Sequence, residues 1–262
     1  MHEDHNVHHA GIEGWGIMEF LTSSALDGAA RAAELARKYD GLTTDQLLKN
    51  LAVNEFPREI TLASAFGTES AVLLHLVAGI DPSIPVIFLD TGKHFDETIA
   101  YKDLLIERLG LTDVRSVAPS PEQLLANDPN GSLHRTNPDL CCYVRKTLPM
   151  LAALREFVCW INGRKRFQSA TRSELRLFEA QDRWIKVNPL VDWSEERIQD
   201  YLTEHDLPRH PLEAFGYFSI GCLPCTEPTP GCGRDRRSGR WKGSPKLECG
   251  MHLPANATVP AA

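Results

Sequence analysis

The sequence ITLASAFGTES at residues 60–70, followed by IPVIFLDTG at residues 84–92, decides the fold of this chain. Each stretch begins with a short apolar run, and each run ends in a loop of small and polar residues. An uninterrupted apolar run of this length is typical of a strand that is buried on both faces of a parallel sheet. Helical periodicity follows at residues 71–77 and 95–109. Strands and helices therefore alternate along the chain.

Outward from these two strands, the apolar pattern predicts the remaining elements. Helices are expected at residues 26–36, at residues 47–51 with Thr44 as N-cap, and at residues 148–156. Further strands are expected at residues 114–117, 157–161 and 185–187. This order predicts an α/β fold with a doubly wound, mainly parallel sheet, helices on both faces and right-handed crossovers.

Composition narrows the classes of protein to which the chain can belong. It has 262 residues, 42% of them hydrophobic, and a net charge of -7, which disfavours duplex nucleic acid as a partner. No apolar run is long enough to cross a membrane, and no secretory signal pattern opens the chain, so we expect a cytoplasmic protein. We divide it into a disordered or loosely ordered N-terminal segment rich in histidine, a single α/β domain and a flexible C-terminal tail, at residues 1–25, 26–235 and 236–262.

Two loops follow strands at the edge of the sheet where ligands of such folds bind. Residues 64–70 place small side chains and Gly67 before a helix, so backbone N–H groups could hold a phosphate or sulfate. Residues 90–92, Asp-Thr-Gly, follow the neighbouring strand and do not form a Walker A motif. Each loop alone could be an ordinary tight turn. Together they predict a nucleotide-like ligand.

Four of the seven cysteines form two pairs, Cys141-Cys142 and Cys222-x-x-Cys225. Adjacent side chains on a helix diverge by about 100°, which strains two bonds to a single tetrahedral ion. A four-iron cluster has separate irons, so adjacent ligands are easier to place, and we predict a [4Fe–4S] cluster. A disulfide between adjacent cysteines, a zinc knot and four unrelated buried thiols are the alternatives.

The other cysteines differ in their surroundings. Cys159 lies inside an apolar strand and is expected to be a buried small hydrophobe, whereas Cys232 has no assigned role. Cys249 lies in a polar segment punctuated by glycine and proline, with many basic residues nearby in sequence. An exposed, reactive thiol facing an anionic substrate is predicted there. The alternative is a solvated basic tail that carries an incidental cysteine.

Several motifs, in order, resemble those of the assimilatory adenylyl-sulfate (APS) reductases, within the phosphoadenylyl-sulfate (PAPS)/APS reductase family. The most specific are the Cys-Cys pair at 141–142 with Arg145-Lys146 after it, GCLPCT at 221–226, RSGRW at 237–241 and ECGMH at 248–252. Weaker matches are residues 64–70 and 89–92, Gly163 with residues 164–166, and residues 171–173 and 188–190. The resemblance covers roughly residues 62–252 and implies an adenine-nucleotide alpha-hydrolase-like fold.

The resemblance also implies roles. Cys249 would be the nucleophile that attacks the sulfur of APS, giving AMP and an enzyme S-sulfocysteine, from which a thioredoxin-type dithiol releases sulfite. Cys141, Cys142, Cys222 and Cys225 would bind the [4Fe–4S] cluster. The residues expected to bind the substrate are Ser64, Phe66, Gly67, Glu69, Leu89, Asp90, Thr91, Gly92, Lys146, Gly163, Arg164, Arg172, Arg237, Arg240 and His252.

Three other functions stay open at this point. They are reduction of the 3′-phosphorylated substrate PAPS, an adenylating enzyme of the same fold that releases pyrophosphate, and a non-catalytic module with a zinc knot. The family members that carry both cysteine pairs are similar to the APS users, which favours APS. The oligomeric state is undetermined, and a homo-oligomer is compatible with the sequence.

Overall fold

A six-stranded sheet forms the centre of the molecule, in the order β3-β2-β1-β4-β6-β5. The structure is a computed structural model that describes residues 15–229 and 235–252. All neighbouring strands are parallel except β5, which pairs antiparallel with β6 at one edge. The strands are β1 (Ile60–Ala63), β2 (Val86–Leu89), β3 (Val114–Val117), β4 (Cys159–Ile161), β5 (Phe178–Gln181) and β6 (Trp184–Val187). The predicted mainly parallel α/β sheet is confirmed.

Helices connect the strands and cover the sheet. They are α1 (Trp15–Lys38), α2 (Thr44–Asn50), α3 (Ser70–Ala78), α4 (Asp96–Leu109), α5 (Pro121–Asn127), α6 (Leu133–Thr136), α7 (Pro138–Cys142), α8 (Leu148–Ala153) and α9 (Glu195–Glu204). Between α7 and α8 the helix widens into a π-helical turn, Tyr143–Thr147. Among the described helices, none combines the length and the apolar character that crossing a bilayer requires.

Alternating side chains of the strands supply two apolar clusters. Cys159 and Ile161 of β4 join the larger cluster, whereas Trp160 between them joins the smaller one with Met150 and Leu154. This follows from the two-residue period of a strand, which sends successive side chains to opposite faces. Cys159 has no exposed surface, which confirms its prediction as a buried hydrophobe.

The strand order reverses between β1 and β4. The chain runs outward from β1 through β2 to β3 and then returns to β4 on the other side of β1. Connections leaving β1 and β4 therefore diverge, which opens a crevice beyond the carboxyl ends of these two strands. The loop 64–69 after β1 and the segment 162–165 after β4 border this crevice.

Several predicted boundaries differ from the structure. Helix α1 begins at Trp15 rather than near Leu26, because no proline interrupts the sequence between Trp15 and Lys38. The N-cap of α2 is Thr43 rather than Thr44, because Gln46 lies three residues after Thr43 and completes a capping box with it. Strand β5 and helix α9 were not predicted at all.

The C-terminal segment, residues 235–252, packs against the domain, contrary to the expected exposed tail. Trp241 is buried beside Cys142, and its backbone N–H donates to the carbonyl oxygen of Cys225. Lys246 is buried and pairs with Asp139 of α7. The prediction of an exposed Cys249 was wrong: only 8% of that residue is exposed. Basic residues near Cys249, such as Lys246, form ion pairs with carboxylates of the domain. The number of polar residues in the segment does not show these pairs. Residues 1–14 with their histidines, and Cys232, lie outside the described residues.

Candidate active site

A cavity of about 230 Å³ lies in the crevice between β1 and β4. The loop 64–69 and the segment 162–165 form its sheet end, and Lys146, Arg237, Arg240, Glu248 and Cys249 form what we call its sulfur end. Phe66 adopts a left-handed φ of 47° in the β1 loop, a strained conformation for a residue with a large side chain. The backbone N–H groups of Phe66 and Gly67 donate to Ser64 Oγ and Ser70 Oγ. These two groups therefore stabilise the loop itself instead of facing a ligand.

Paired buried charges fix the sheet end. Lys165 Nζ donates to Glu69 Oε2 at 2.7 Å and to the carbonyl oxygen of Gly163 at 3.0 Å. Gln168 Nε2 donates to the same Glu69 oxygen at 2.8 Å. Burial raises the pKa of Glu69, but the charge and hydrogen bond of Lys165 outweigh it and lower that pKa overall. An ionised Glu69 accepts hydrogen bonds only, so it suits the hydroxyl groups of a ribose.

Arginine side chains surround the sulfur end. Arg172 Nε donates to Glu248 Oε2 at 2.8 Å, and Arg237 Nη2 donates to Glu248 Oε1 at 2.9 Å. Burial and the repulsion of Arg172 lower the pKa of Arg237 to about 10, so Arg237 still carries its charge at neutral pH. The guanidinium group of Arg240 lies over the Trp241 ring, 4.5 Å from its centre. Such a concentration of cations indicates an anionic ligand.

Buried polar atoms around the cavity point to the same ligand class. Within the described residues, these atoms make no hydrogen bond to the protein: Arg236 Nε and Nη2, Arg237 Nε, Arg240 Nε, Glu69 Oε1 and His252 Nδ1. Buried polar groups in folded proteins are nearly always paired with protein, water or ligand. Of these atoms, Arg236 Nε and Glu69 Oε1 face each other at 3.5 Å as an ion pair. The others include the donors Arg236 Nη2, Arg237 Nε and Arg240 Nε, which suits a ligand that carries acceptor oxygens.

The Cys249 thiol lies at the inner edge of this cationic region. In the metal-free protein the Cys142 thiol donates a hydrogen bond to the Cys249 sulfur, and this bond lowers the pKa of Cys249. The charge of Lys146 and the backbone N–H of Met251 lower that pKa further and outweigh the effect of burial. Cys249 therefore has the electropositive setting of a nucleophilic cysteine.

The two cysteine pairs meet at a small void next to this thiol. Cys141, Cys142, Cys222 and Cys225 all line it, together with Lys146. Helix α7 carries the first pair, and a 3₁₀ turn, Leu223–Cys225, carries Cys225. All six cysteines of the described part are free, and Thr91 Oγ1 lies 3.3 Å from Cys222 Sγ. Among the described residues, no three His, Cys, Asp or Glu side chains converge on a point where one metal ion could bind.

The widened turn after α7 places two cations. Arg145 lies inward and donates to Asp128 Oδ2 at 2.7 Å and to the carbonyl oxygen of Thr91 at 2.8 Å. Lys146 lines both the cavity and the void of the four cysteines. One side chain thus borders the anion site and the cysteine site.

Comparison with known proteins identifies the family. The family model for the phosphoadenosine phosphosulfate reductase domain matches residues 59–228. The chain belongs to this reductase family.

Named relatives agree with that assignment. The reductase is 48% identical to an adenosine 5'-phosphosulfate reductase of Mesorhizobium japonicum, over 86% of this chain and 88% of that protein. It is 40% identical to a phosphoadenosine 5'-phosphosulfate reductase of Gloeobacter violaceus, over 83% of this chain and 92% of that protein. It is also similar to the crystal structure of the PAPS reductase from Candida auris in a phosphate complex, with a TM-score of 0.62 and 26% identity, covering 73% of this chain and 94% of that one.

Most residues predicted to bind substrate line the cavity of the reductase. They are Ser64, Gly67, Glu69, Leu89, Lys146, Gly163, Arg164, Arg172, Arg237, Arg240 and His252. Phe66 is fully buried beside the cavity and packs edge-on against Phe88. Asp90, Thr91 and Gly92 lie outside the cavity lining, because the β2 loop turns toward Arg145 and Cys222. That loop supports the cysteine site more directly than it supports the cavity.

His252 occupies an unexpected setting. Its ring stacks on Trp160, with 5.9 Å between ring centres and 7° between planes. Burial, followed by the charges of Lys186 and Arg164, lowers the pKa of His252 well below its usual value. A neutral imidazole offers the ligand a hydrogen bond and no charge.

Among the cavity residues that were not predicted from the sequence, four make the hydrogen bonds and ion pairs to Glu69 and Arg172: Lys165, Gln168, Arg236 and Glu248. For three of these residues, the sequence contains a feature from which they could have been predicted. Lys165 is the centre of the basic run at residues 164–166, and Glu248 directly precedes Cys249. Arg236 belongs to the basic residues close to Cys249 in sequence, although its pairing with the distant Glu69 could not be seen there. Gln168 had no signal, because its partner Glu69 also lies far away in the sequence.

Proposed function

We propose that this reductase converts adenosine 5'-phosphosulfate and a dithiol into sulfite, AMP and a disulfide. The observation that carries the proposal is the buried Cys249 thiol, which lines the cavity together with Lys146, Arg237 and Arg240. A thiolate needs such cations to be populated, and a phosphosulfate needs them to be bound. Both requirements are met in one cavity.

The first step forms a bond between two sulfur atoms. The Cys249 thiolate attacks the sulfur of the phosphosulfate, the bond from sulfur to the bridging oxygen breaks, and AMP leaves with the electron pair of that bond. Lys146 and the arginines of the sulfur end stabilise the charge that develops on the bridging oxygen. The product on the enzyme is an S-sulfocysteine at Cys249.

The second step returns the enzyme to its starting state. A thiolate of a thioredoxin-type dithiol attacks Cys249 Sγ, sulfite leaves, and the second thiol of the partner resolves the mixed disulfide. The two electrons that reduce the sulfur thus come from the dithiol. Because only 8% of Cys249 is exposed, the C-terminal segment has to move outward for this partner to reach the sulfur.

We also propose that Cys141, Cys142, Cys222 and Cys225 hold a [4Fe–4S] cluster. The four thiols line one void and are the donor type that such a cluster uses, while among the described residues no three His, Cys, Asp or Glu side chains converge on a point for a single ion. When bound, the cluster would supply negative charge beside Lys146 and orient that cation. Every electron of the overall reaction is accounted for by thiols, so this role is electrostatic and structural. Iron and sulfide analysis of the purified protein tests it: a cluster makes the protein brown, whereas a zinc protein would be colourless.

PAPS is the second candidate substrate, favoured by the similarity to the PAPS reductases of Gloeobacter violaceus and Candida auris. The two cysteine pairs favour APS. Sulfite release from each nucleotide with thioredoxin as reductant separates the two, and we expect the larger kcat/KM with APS. The reverse order would make this protein a PAPS reductase.

The decisive experiment for the mechanism omits the reductant. The protein is incubated with APS alone, and its peptides are analysed by mass spectrometry. One added SO3 group is expected on the peptide that contains Cys249, and none in the Cys249→Ser variant. An adduct on another cysteine, or none on the native protein, would refute the proposal.

A further inference from the structure

Glu248 pairs with two arginines that line the cavity and that the sequence predicted to bind the substrate, Arg172 and Arg237. Its Oε2 atom accepts from Arg172 Nε at 2.8 Å, and its Oε1 atom accepts from Arg237 Nη2 at 2.9 Å. Both arginines are cavity residues, and the Glu248 side chain is 17% exposed. A carboxylate therefore lies where the phosphosulfate oxygens have to be bound.

The same carboxylate is tied to the nucleophile. The backbone N–H of Cys249 donates to Glu248 Oε1 at 3.0 Å. Burial raises the pKa of Glu248, but the hydrogen bond and charge of Arg172, with the charge of Arg237, lower it to about 2. Glu248 is thus an anion at neutral pH, and it joins the two arginines to the main chain of the residue that attacks the substrate.

We propose that Glu248 is an intramolecular placeholder for the phosphosulfate, holding Arg172 and Arg237 in the empty site until the substrate anion displaces it. This inference rests on the proposed function, because it assumes that the cavity binds a nucleotide phosphosulfate. When the substrate anion displaces Glu248, the hydrogen bond from the Cys249 backbone N–H to Glu248 Oε1 breaks. Substrate binding is thereby coupled to the position of the nucleophile.

The chemistry of the two anions makes this exchange favourable. A carboxylate and a phosphate both match the planar fork of arginine, so one can replace the other. The substrate brings more oxygens than the carboxylate, and Arg237 Nε and Arg240 Nε are buried donors without a hydrogen-bond partner in the described structure. A phosphosulfate can satisfy donors that Glu248 leaves unpaired.

Other ion pairs at the cavity do not have this property. Arg164 pairs with Glu179 of β5, and Lys165 pairs with Glu69. Glu179 does not line the cavity, and Glu69 lies at the sheet end, where a carboxylate suits hydroxyl groups. Only Glu248, among these carboxylates, lies on the cations of the sulfur end.

The test measures APS binding in a protein that cannot turn over. In a Cys249→Ser background, Glu248→Gln removes the charge and keeps the size of the side chain. We expect the Kd for APS, measured by calorimetry, to fall about tenfold, which corresponds to about 1.4 kcal/mol. Adenosine, which carries no anion, should bind both proteins equally. Glu248→Asp, which restores the charge, should return the Kd toward that of the Cys249→Ser parent.

Glu227→Gln in the same background is the matched control. Glu227 pairs with Lys242 in an exposed position and does not line the cavity, so its loss changes the net charge equally. An APS affinity of Glu248→Gln that is unchanged or weaker would overturn the placeholder role, and so would equal tightening of adenosine. If the Cys249→Ser parent binds no APS, the proposed function fails as well, which distinguishes the two failures.

Discussion

The two ends of the cavity hold their charges in different ways. At the sheet end, Lys165 and Glu69 neutralise each other in a buried pair between two rigid loops. At the sulfur end, Lys146, Arg237 and Arg240 outnumber the carboxylate of Glu248, which pairs with Arg237 and with Arg172 beside it. At the sheet end the carboxylate of Glu69 already faces Lys165 and Arg236, whereas the sulfur end needs a further anion. Under the proposed function, the sheet end recognises the nucleoside and the sulfur end binds the reacting group.

The strongest test of the sulfur end removes its nucleophile. Cys249→Ser should lower sulfite formation at least about 10³-fold, because the attacking thiolate is lost. The sheet end is untouched, so the affinity for AMP should remain within about twofold. Initial rates with thioredoxin and AMP titration measure the two quantities. Full sulfite formation by the variant would contradict the assignment of Cys249.

Substitution of Lys146 tests whether the cation between the cavity and the cysteine site stabilises the transition state. Lys146→Ala should reduce kcat about 10²- to 10³-fold, the usual loss when one electrostatic group at a transition state is removed. Iron content should fall much less than activity, because Lys146 is not one of the four thiols that line the void. Iron analysis alongside kcat decides the point. Equal losses of iron and activity would make Lys146 a structural residue.

Substitution at the sheet end of the cavity should lower the free energy of unfolding. Glu69→Gln leaves Lys165 as a buried, uncompensated charge, and the free energy of unfolding should fall by about 3 kcal/mol. Glu227→Gln breaks an exposed pair with Lys242 and should change it by less than about 0.5 kcal/mol. Urea unfolding of both variants provides the comparison. Similar small changes in both would mean that the sheet end is not preorganised by this pair.

Lys186, whose ammonium group lies over the Trp160 ring, should make the free energy of unfolding depend on pH. Burial and the charge of Arg164 lower its pKa to about 7 from 10.5. Between these values the unfolded chain holds a proton that the folded protein lacks, so this group makes stability rise with pH, by up to about 1.4 kcal/mol per pH unit.

The Lys186→Met variant should lose that slope. Unfolding free energies of the native protein and the variant at about pH 7.5 and about pH 9.5 isolate the contribution of this residue. The native protein should gain stability relative to the variant as pH rises. A constant difference between the two proteins would show that Lys186 keeps an ordinary pKa.

The smallest expected effect concerns the approach of Arg240. A Cβ atom at Gly221 would clash with the guanidinium group of Arg240, so Gly221→Ala has to displace that group. We expect kcat/KM for APS to fall about tenfold, equivalent to about 1.4 kcal/mol, with little change in melting temperature. Gly79→Ala, whose Cβ would meet only ordinary contacts at the end of α3, is the control. Equal activity of both variants would remove Arg240 from the anion site.

The sheet could be predicted from the sequence because burial on both faces leaves an apolar run, as at Ile84 to Leu89. Short amphipathic elements such as β5 leave no such run, and their pairing depends on a distant partner strand. The four thiols and Cys249 could be identified because cysteine is rare and its spacing is informative. The geometric consequences of that spacing needed the structure.

Charge partners could not be predicted. Glu69 and Lys165 are 96 positions apart, and Arg172 and Glu248 are 76 apart. No neighbouring residue in the sequence indicates that these side chains form ion pairs. The burial of Cys249 was missed for the same reason: basic residues around it suggested a solvated tail, whereas Lys246 finds Asp139 and the Trp241 ring covers Cys142.

The π-helical turn at Tyr143–Thr147 has a consequence for how this site could be lost during evolution. A π-turn holds one more residue than the α-helical turn it replaces, and removing that residue restores a regular helix. Deletion of a single codon there would leave a continuous helix and an intact sheet. It would also rotate Cys141 and Cys142, which precede the turn, relative to Lys146 near the end of the turn. Such a descendant would keep its sheet, but Lys146 would no longer border both the cavity and the void of the four cysteines.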